Sequence, residues 1–170
     1  QYPRPGGGSC WLAGWAGRSL DESAIHGWIW RMNTVVIDAG PLIALLSQRE
    51  KHHKWTVENL QSHSEPLETC EAVLSAACFI LRRSGKSAGA VIEMVERGVI
   101  AVPFRLDTEA AAIRHLMAQY AKVPMSLADA CLVRMTELND RATILTFDHD
   151  FRVYRRNGRH VIPLLMPPKA

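Results

Sequence analysis

The chain has 170 residues, of which 48% are hydrophobic and 22% charged, values that are typical of a globular protein and exclude a disordered one. A net charge of +3 does not by itself indicate a nucleic-acid partner, although clustered basic residues would permit one. No apolar run reaches the roughly 18 to 20 residues of a membrane helix, so we expect no membrane span.

Residues 1–31 differ in composition from the rest of the chain. They contain most of the tryptophans and glycines and show neither helical nor strand periodicity. Met32 then precedes a strand-like run. We interpret residues 1–31 as a non-native or disordered extension, from upstream translation or an added tail. The alternative is a Trp-rich arm that packs on the domain formed by residues 32–170.

The remaining chain alternates between strand-like and helix-like segments. Strands rich in Val, Ile, Thr and Phe are predicted over residues 34–38, 99–104, 142–147 and 160–165. Helices are predicted over residues 41–50, 52–63, 71–83 and 87–97, from residue 107 onward, and over 126–139. This alternation predicts an α/β fold in three layers, α/β/α, around a central, largely parallel sheet.

The cysteines indicate a reducing environment. They form no C-x-x-C pair, so a zinc site of the common spacing is not expected. Cys70, Cys78 and Cys131 lie in apolar segments and are interpreted as small core residues. Free core cysteines are typical of the cytoplasm, where we expect this protein to be found.

Isolated carboxylates in apolar segments are the most informative feature of the sequence. They are Asp38 after the first predicted strand, Glu71 at the start of the third helix, Asp129 in the sixth helix, and Asp148 and Asp150 after the third strand. The first of them lies where open α/β sheets place their ligand crevice.

The chemistry of these acids points to a metal. A buried carboxylate is costly unless it is paired or metal-bound, and the apolar segments around these acids hold no Lys or Arg. Several carboxylates meeting at strand ends would repel one another, and a divalent cation removes that repulsion. All-oxygen ligands favour Mg²⁺ or Mn²⁺ over zinc.

Each acid also has a structural interpretation. Asp38 could form an Asx-type turn, and Glu71 could offset the dipole of its helix. Asp129 could form a capping box with Ser126, three residues earlier. The two acids after the third strand could end it in a solvated turn. Because all of them fall at strand or helix ends, the joint metal interpretation is favoured.

Four arginines follow the acidic turn: Arg152, Arg155, Arg156 and Arg159. They could contact phosphates of a nucleic acid near that turn. They could equally form an ordinary solvated basic stretch, and the sequence leaves both interpretations open.

Three motifs occur in a recognisable order: Val-Ile-Asp-Ala-Gly-Pro-Leu (36–42), Met-Ser-Leu-Ala-Asp-Ala (125–130) and Leu-Thr-Phe-Asp-His-Asp-Phe (145–151). Together they resemble a PIN domain of the kind found in VapC-type toxins of toxin–antitoxin pairs, over nearly all of the chain after residue 32. The resemblance implies an α/β/α fold and an endoribonuclease that depends on Mg²⁺ or Mn²⁺.

The resemblance also implies roles and partners. By position, Asp38 and Asp129 would be the main metal ligands, and Asp148 with Asp150 would complete the acidic site. The candidate catalytic residues are Asp38, Asp129, Asp148 and Glu71. The implied partners are an RNA substrate, a small antitoxin protein and a second copy of the chain in a homodimer.

One position departs from the family pattern. Relatives usually carry Glu within Val-Leu-x-Glu-Ala, but residues 73–77 here read Val-Leu-Ser-Ala-Ala, so Ala76 stands at the position of the Glu. Glu71 lies five residues earlier, which is about 500° of helical rotation, and therefore projects from another face. The alternative function is a catalytically weakened PIN-like module that binds RNA or an antitoxin.

A haloacid-dehalogenase-like phosphatase is disfavoured, because Gly40 stands where that chemistry requires a second Asp.

Overall fold

A computed structural model describes residues 34–168. The extension predicted over residues 1–31 lies outside the described residues. In chain order the elements are β1 (Val35–Ile37), α1 (Ala39–Leu46), α2 (His53–Leu60), β2 (Leu67–Glu68), α3 (Glu71–Arg83), α4 (Gly89–Glu96), β3 (Ile100–Ala101), α5 (Leu106–Gln119), α6 (Leu127–Leu138), β4 (Thr143–Leu145), a short 3₁₀ helix (His149–Arg152), β5 (Arg155–Arg156), β6 (His160–Val161) and β7 (Leu164–Leu165).

Within residues 34–168, five strands form a parallel sheet in the order β3-β2-β1-β4-β7. The central strand β1 consists of three buried β-branched residues, as expected for a parallel strand that is covered on both faces. Its register sets Val36 opposite Glu68 on one side and opposite Ile144 on the other. Helices flank the sheet, which confirms the predicted α/β/α class.

The helices begin and end where local chemistry dictates. Helix α1 carries Pro41 in its first turn, where the missing N–H of proline costs nothing, and it ends at Leu46, four residues before the predicted end. Gly85 and Gly98 follow α3 and α4 with positive φ angles of 73° and 70°, which terminate these helices. The apolar side of α6, which includes Leu132, is fully buried and packs on β1 and β4.

Three parts of the strand prediction were wrong, one of them being that the two-residue strand β5 at Arg155–Arg156 was not predicted. The two-residue strand β2 was missed, because Leu67–Glu68 is too short to show a pattern. The strand predicted over 160–165 is two strands separated by Pro163, which lacks the N–H that a continuous ladder requires. The first of them, β6, pairs with β5 in a hairpin, whereas β7 adds the last strand to the parallel sheet.

Candidate metal centre

Asp38 is held at the carboxyl end of the central strand by the backbone on either side of it. Its backbone N–H donates to the carbonyl of Leu145 in β4 over 3.0 Å. Its carboxylate is the N-cap of α1 and accepts the N–H of Ala39 at Oδ1 over 2.6 Å. Asp38 therefore bonds to the next residue as a helix cap, not two residues on as in an Asx turn, and this bond fixes the carboxylate at the sheet edge.

Thr146 connects two of the acids and was not singled out from the sequence. It follows β4 and is fully buried. Its hydroxyl donates to Oδ2 of Asp38 over 2.7 Å and accepts the backbone N–H of Asp148 over 2.9 Å. One side chain thus orients a carboxylate from the first strand and the acidic turn after the fourth.

The acidic turn is shaped by Asp148 itself. This residue is the N-cap of the 3₁₀ helix, and its Oδ1 accepts the backbone N–H of Asp150 over 2.9 Å. Asp148 is exposed, whereas Asp150 is half-buried. The turn therefore presents two carboxylates directly beyond the strand that carries Thr146.

Asp129 reaches the site from the first turn of α6. It forms the predicted capping box: Ser126 Oγ accepts the N–H of Asp129 over 3.1 Å, and Asp129 Oδ2 accepts the N–H of Ser126 over 2.8 Å. The half-buried carboxylate is consequently held in one orientation at the start of this helix.

The four aspartates affect one another through their charges. Burial raises the pKa of Asp38, and repulsion from Asp129 and Asp148 adds to the rise, against hydrogen bonds from Thr146 and a backbone amide. Burial likewise raises the pKa of Asp129, with repulsion from Asp148 and Asp150. None of the ion pairs found in residues 34–168 involves these four carboxylates.

Tyr154 is a second residue near the site that sequence reasoning missed. It is fully buried, and its hydroxyl has no hydrogen-bond partner among the described residues. Burial raises the pKa of this phenol, and the charges of Asp129, Asp150 and Asp148 raise it further. The charges of three of the aspartates therefore act on a buried phenol.

The donor chemistry of the four aspartates fits a hard divalent cation. All donors are oxygens, two of the carboxylates are desolvated, and neighbouring charges oppose each other's ionisation. As they stand, no three Asp, Glu, His or Cys side chains of the described chain are arranged closely enough to hold a metal ion. The hydrogen bonds at Asp38 and Asp129 each leave lone pairs on the carboxylate for a cation.

Glu71 has a different environment. It is the exposed first residue of α3, and its negative charge opposes ionisation of the Cys70 and Cys131 thiols. It lines a cavity of about 510 Å³ together with both thiols and Arg105. Ala76 is half-buried in the second turn of the same helix. The catalytic role of Glu71 stays a prediction.

Two of the four arginines after the acidic turn are bound to the backbone. Arg155 Nη1 donates to the carbonyls of Arg152, Val153 and Tyr154, and so caps the 3₁₀ helix. Arg156 Nη1 donates to the carbonyl of Asp140 over 2.6 Å. These contacts give both residues a structural role, and Arg152 and Arg159 remain exposed.

The raised pKa values predict how stability responds to pH and metal. When the pKa of a carboxyl group is higher in the folded protein than in the unfolded chain, the protonated group stabilises the fold. This stabilisation is complete below the unfolded pKa of about 4 and is lost as the pH rises through the folded pKa. We therefore expect Asp38 and Asp129 to destabilise the metal-free protein at neutral pH. Added Mg²⁺ should raise the melting temperature at about pH 7.5 and have little effect near pH 4. An equal effect of Mg²⁺ at both pH values would contradict this expectation.

These elements define a three-layer α/β/α domain with a parallel sheet of five strands. Acidic residues follow its two central strands and occupy the first turn of α6. The family model of the PIN domain matches residues 35–157, and the chain belongs to this family. No helix in residues 34–168 has the length and apolar character needed to cross a membrane.

A solved structure supports the same fold. The chain is similar to VapC20 of Mycobacterium tuberculosis, which is described as a toxin that cleaves the sarcin-ricin loop. The TM-score is 0.64 at 19% sequence identity, and the match covers 76% of this chain and 100% of VapC20. No curated protein sequence matches the chain.

Proposed function

We propose that this protein is an endoribonuclease that depends on Mg²⁺ or Mn²⁺ and is the toxin of a type II toxin–antitoxin system. Membership of the PIN family supports a nuclease, and the fold shared with a toxin that cleaves RNA supports this substrate class. The observation that carries the proposal is that Asp38 and Asp129 are desolvated and repelled by neighbouring aspartates, and that Thr146 bonds to both Asp38 and Asp148.

In this proposal the residues of the chain hold the reacting groups. Asp38 and Asp129 supply the main oxygen ligands, and Asp148 with Asp150 completes the set on the solvent side. A divalent cation held by these residues would supply a water molecule of lowered pKa and would neutralise charge on the phosphate. Thr146 keeps the Asp38 carboxylate oriented through its 2.7 Å hydrogen bond. The exposed guanidinium groups of Arg152 and Arg159 are available to RNA phosphates.

The proposed partners follow from the surface and the family. Helices α3 and α4 expose Phe79, Ile80 and Ile92, whose side-chain exposures are 61%, 46% and 54%. Apolar side chains at this exposure support a protein partner, for which we propose a second copy of the chain and a small antitoxin protein. The proposed compartment is the cytoplasm, in keeping with three free cysteines in the described chain.

Cleavage of RNA by the full-length protein, purified free of any partner, tests this proposal. Reactions with Mg²⁺, Mn²⁺ and EDTA should be compared, with Asp129→Asn run beside the wild type. We expect cleavage that requires the metal and disappears in the variant. The variant can keep the capping box, because the amide oxygen of asparagine also accepts the N–H of Ser126. Equal activity of the two proteins would indicate a contaminating nuclease and remove the support for the site.

The second candidate function is a PIN-like module that binds RNA or an antitoxin without efficient cleavage. The observation that favours it is Ala76, whose methyl group stands where relatives carry a carboxylate. Under this alternative the wild-type protein is folded, binds RNA or a co-expressed small protein, and cleaves no RNA pool with either metal.

Ala76→Glu separates the two functions. We expect this change to raise cation affinity and cleavage by about tenfold or more, because it restores the carboxylate ligand of the family pattern. Ser75→Glu is the matched control, since it adds the same charge one residue away on the exposed side of α3. Calorimetric titration with Mn²⁺ and RNA cleavage rates are the measurements. Equal effects of the two substitutions would show that charge alone is responsible.

A further inference from the structure

Three aromatic rings pack together next to the acidic turn. They belong to His52, Trp55 and Phe147, which we call the aromatic cluster. The centroid of the Phe147 ring lies 4.8 Å from that of His52 and 6.2 Å from that of Trp55, with interplanar angles of 51° and 65°. All three residues are half-buried, so the cluster is a partly exposed aromatic surface and not a part of the core.

Phe147 is held by residues of the candidate metal centre. The residue before it, Thr146, donates to Oδ2 of Asp38 over 2.7 Å, and the residue after it, Asp148, donates its backbone N–H to the Thr146 hydroxyl over 2.9 Å. The Phe147 ring also packs against Gly40 in the first turn of α1, where an added Cβ would lie only 3.1 Å from Cδ2 of the ring. The aromatic cluster is therefore directly beside the carboxylates that we propose as cation ligands.

His52 and Trp55 reach Phe147 from the start of α2. His52 is the N-cap residue of this helix, yet its side chain forms no capping hydrogen bond, and its ring packs on Phe147 instead. Two exposed lysines, Lys51 and Lys54, directly precede these residues in the chain. The surface thus combines aromatic rings with flanking positive charge, as do surfaces that bind single-stranded nucleic acid.

We propose that the aromatic cluster is a subsite that stacks an unpaired nucleobase of the RNA substrate, in a nucleotide that adjoins the scissile phosphate. This inference rests on the proposed function. Phenylalanine, tryptophan and histidine rings stack on the splayed bases of single-stranded RNA, whereas paired bases are stacked within their own helix. Because every base has a π face, the subsite selects unpaired RNA without requiring one base sequence.

Fluorescence anisotropy on the full-length protein, with two labelled strands, tests this subsite. One strand is a short unpaired RNA, and the other has the same length and phosphates but abasic residues throughout. Every protein carries Asp129→Asn, so that no strand is cut during the measurement. We expect Phe147→Leu and Trp55→Leu to weaken binding of the RNA by about fivefold or more and to change binding of the abasic strand by less than about twofold.

Phe79→Leu is the matched control for the loss of an aromatic ring. Phe79 lies in α3, is 61% exposed, and has the Arg83 guanidinium 5.6 Å from its ring centroid, so it also combines a ring with a positive charge. This variant should bind both strands like its parent. Partial unfolding of a leucine variant would weaken both strands equally, so the ratio of the two affinities reports stacking even where stability falls.

The emission of Trp55 reports stacking directly. Subtracting the fluorescence of Trp55→Phe from that of its parent isolates this indole from the tryptophans of residues 1–31. We expect the unpaired RNA to quench this difference signal and the abasic strand to leave it unchanged. A ring that serves only to pack α2 against the sheet edge would respond to neither strand.

The two proposals fail in different ways. If the parent binds both strands with equal affinity, or if Phe147→Leu and Trp55→Leu leave the affinity ratio unchanged, the subsite is overturned while the nuclease proposal stands. The rings would then belong to internal packing or to a protein partner. If the parent binds neither strand and the wild-type protein cleaves no RNA, both proposals are overturned.

Discussion

Replacement of Asp38 by asparagine is expected to weaken cleavage by about a hundredfold or more while making the metal-free protein more stable at neutral pH. Both effects have one cause. The carboxylate is desolvated and repelled by two neighbouring acids, so its charge opposes folding until a cation is present. We expect a melting temperature higher by roughly 2 to 4 °C in EDTA, which corresponds to about 1 kcal/mol in a domain of this size.

Asp107→Asn is the matched control for this stability change. Asp107 is fully exposed, and its pKa is lowered by a hydrogen bond from Arg105, so its charge is favourable in the folded state. The same substitution should therefore leave the melting temperature unchanged or lower it. Thermal melts of both variants in EDTA and in Mg²⁺ are the measurement. A loss of stability in Asp38→Asn would show that the hydrogen bond from Thr146, which an amide nitrogen cannot accept, outweighs the burial of the charge.

The substitution Thr146→Val should weaken both the fold and the site. The hydroxyl is buried and bonded at both ends, so its removal leaves the N–H of Asp148 and one oxygen of Asp38 without their partner. We expect a loss of about 1 to 3 kcal/mol of unfolding free energy. We also expect cation affinity to fall by about tenfold to a hundredfold, as for other residues that orient a metal ligand.

The pH dependence of cation binding should change in the same variant. The hydrogen bond from Thr146 lowers the pKa of Asp38, so its loss raises that pKa and moves the onset of cation binding to higher pH. Calorimetric titrations with Mn²⁺ at several pH values would measure this displacement.

Thr69→Val separates the local effect from the general loss of a buried hydroxyl. Thr69 is also fully buried, follows the neighbouring strand β2, and donates to the carbonyl of Ile37 over 2.9 Å. It should cost a similar amount of stability and leave the pH dependence of cation binding unchanged, whereas Thr146→Ser should restore both properties. If both valine variants bind Mn²⁺ like the wild type, Thr146 does not orient the site.

The acidic residues could be recognised from the sequence because a single charged residue within an apolar segment is unusual. Asp38 is isolated in an apolar segment, and the capping box of Asp129 was readable from its spacing to Ser126. Thr146 gave no such signal, since threonine is common in strands and its partner belongs to another strand. The role of a hydroxyl that bridges two elements depends on tertiary pairing, which local patterns do not contain.

The secondary structure was likewise predictable where an element has a pattern of its own in the sequence. Long periodic helices such as α3 and α6 and the apolar strand β1 carry their own patterns. The hairpin of β5 and β6 had a readable signal in Asn157-Gly158, whose φ angles of 51° and 72° form its turn. The strand β2 had none, because only its neighbours β1 and β3 make its two residues a strand.

The hydrogen bond between Thr146 and Asp38 joins residues that are 108 positions apart, and the strands that carry them are neighbours at the centre of the sheet. At synthesis rates of about 5 to 20 residues per second, roughly 5 to 20 seconds separate the addition of these two residues to a growing chain. During that interval β1 has no β4 to pair with, and Asp38 lacks its hydroxyl donor. The acidic group therefore assembles late in synthesis. A nascent chain on the ribosome contains Asp38 long before it contains the other residues of the proposed metal site.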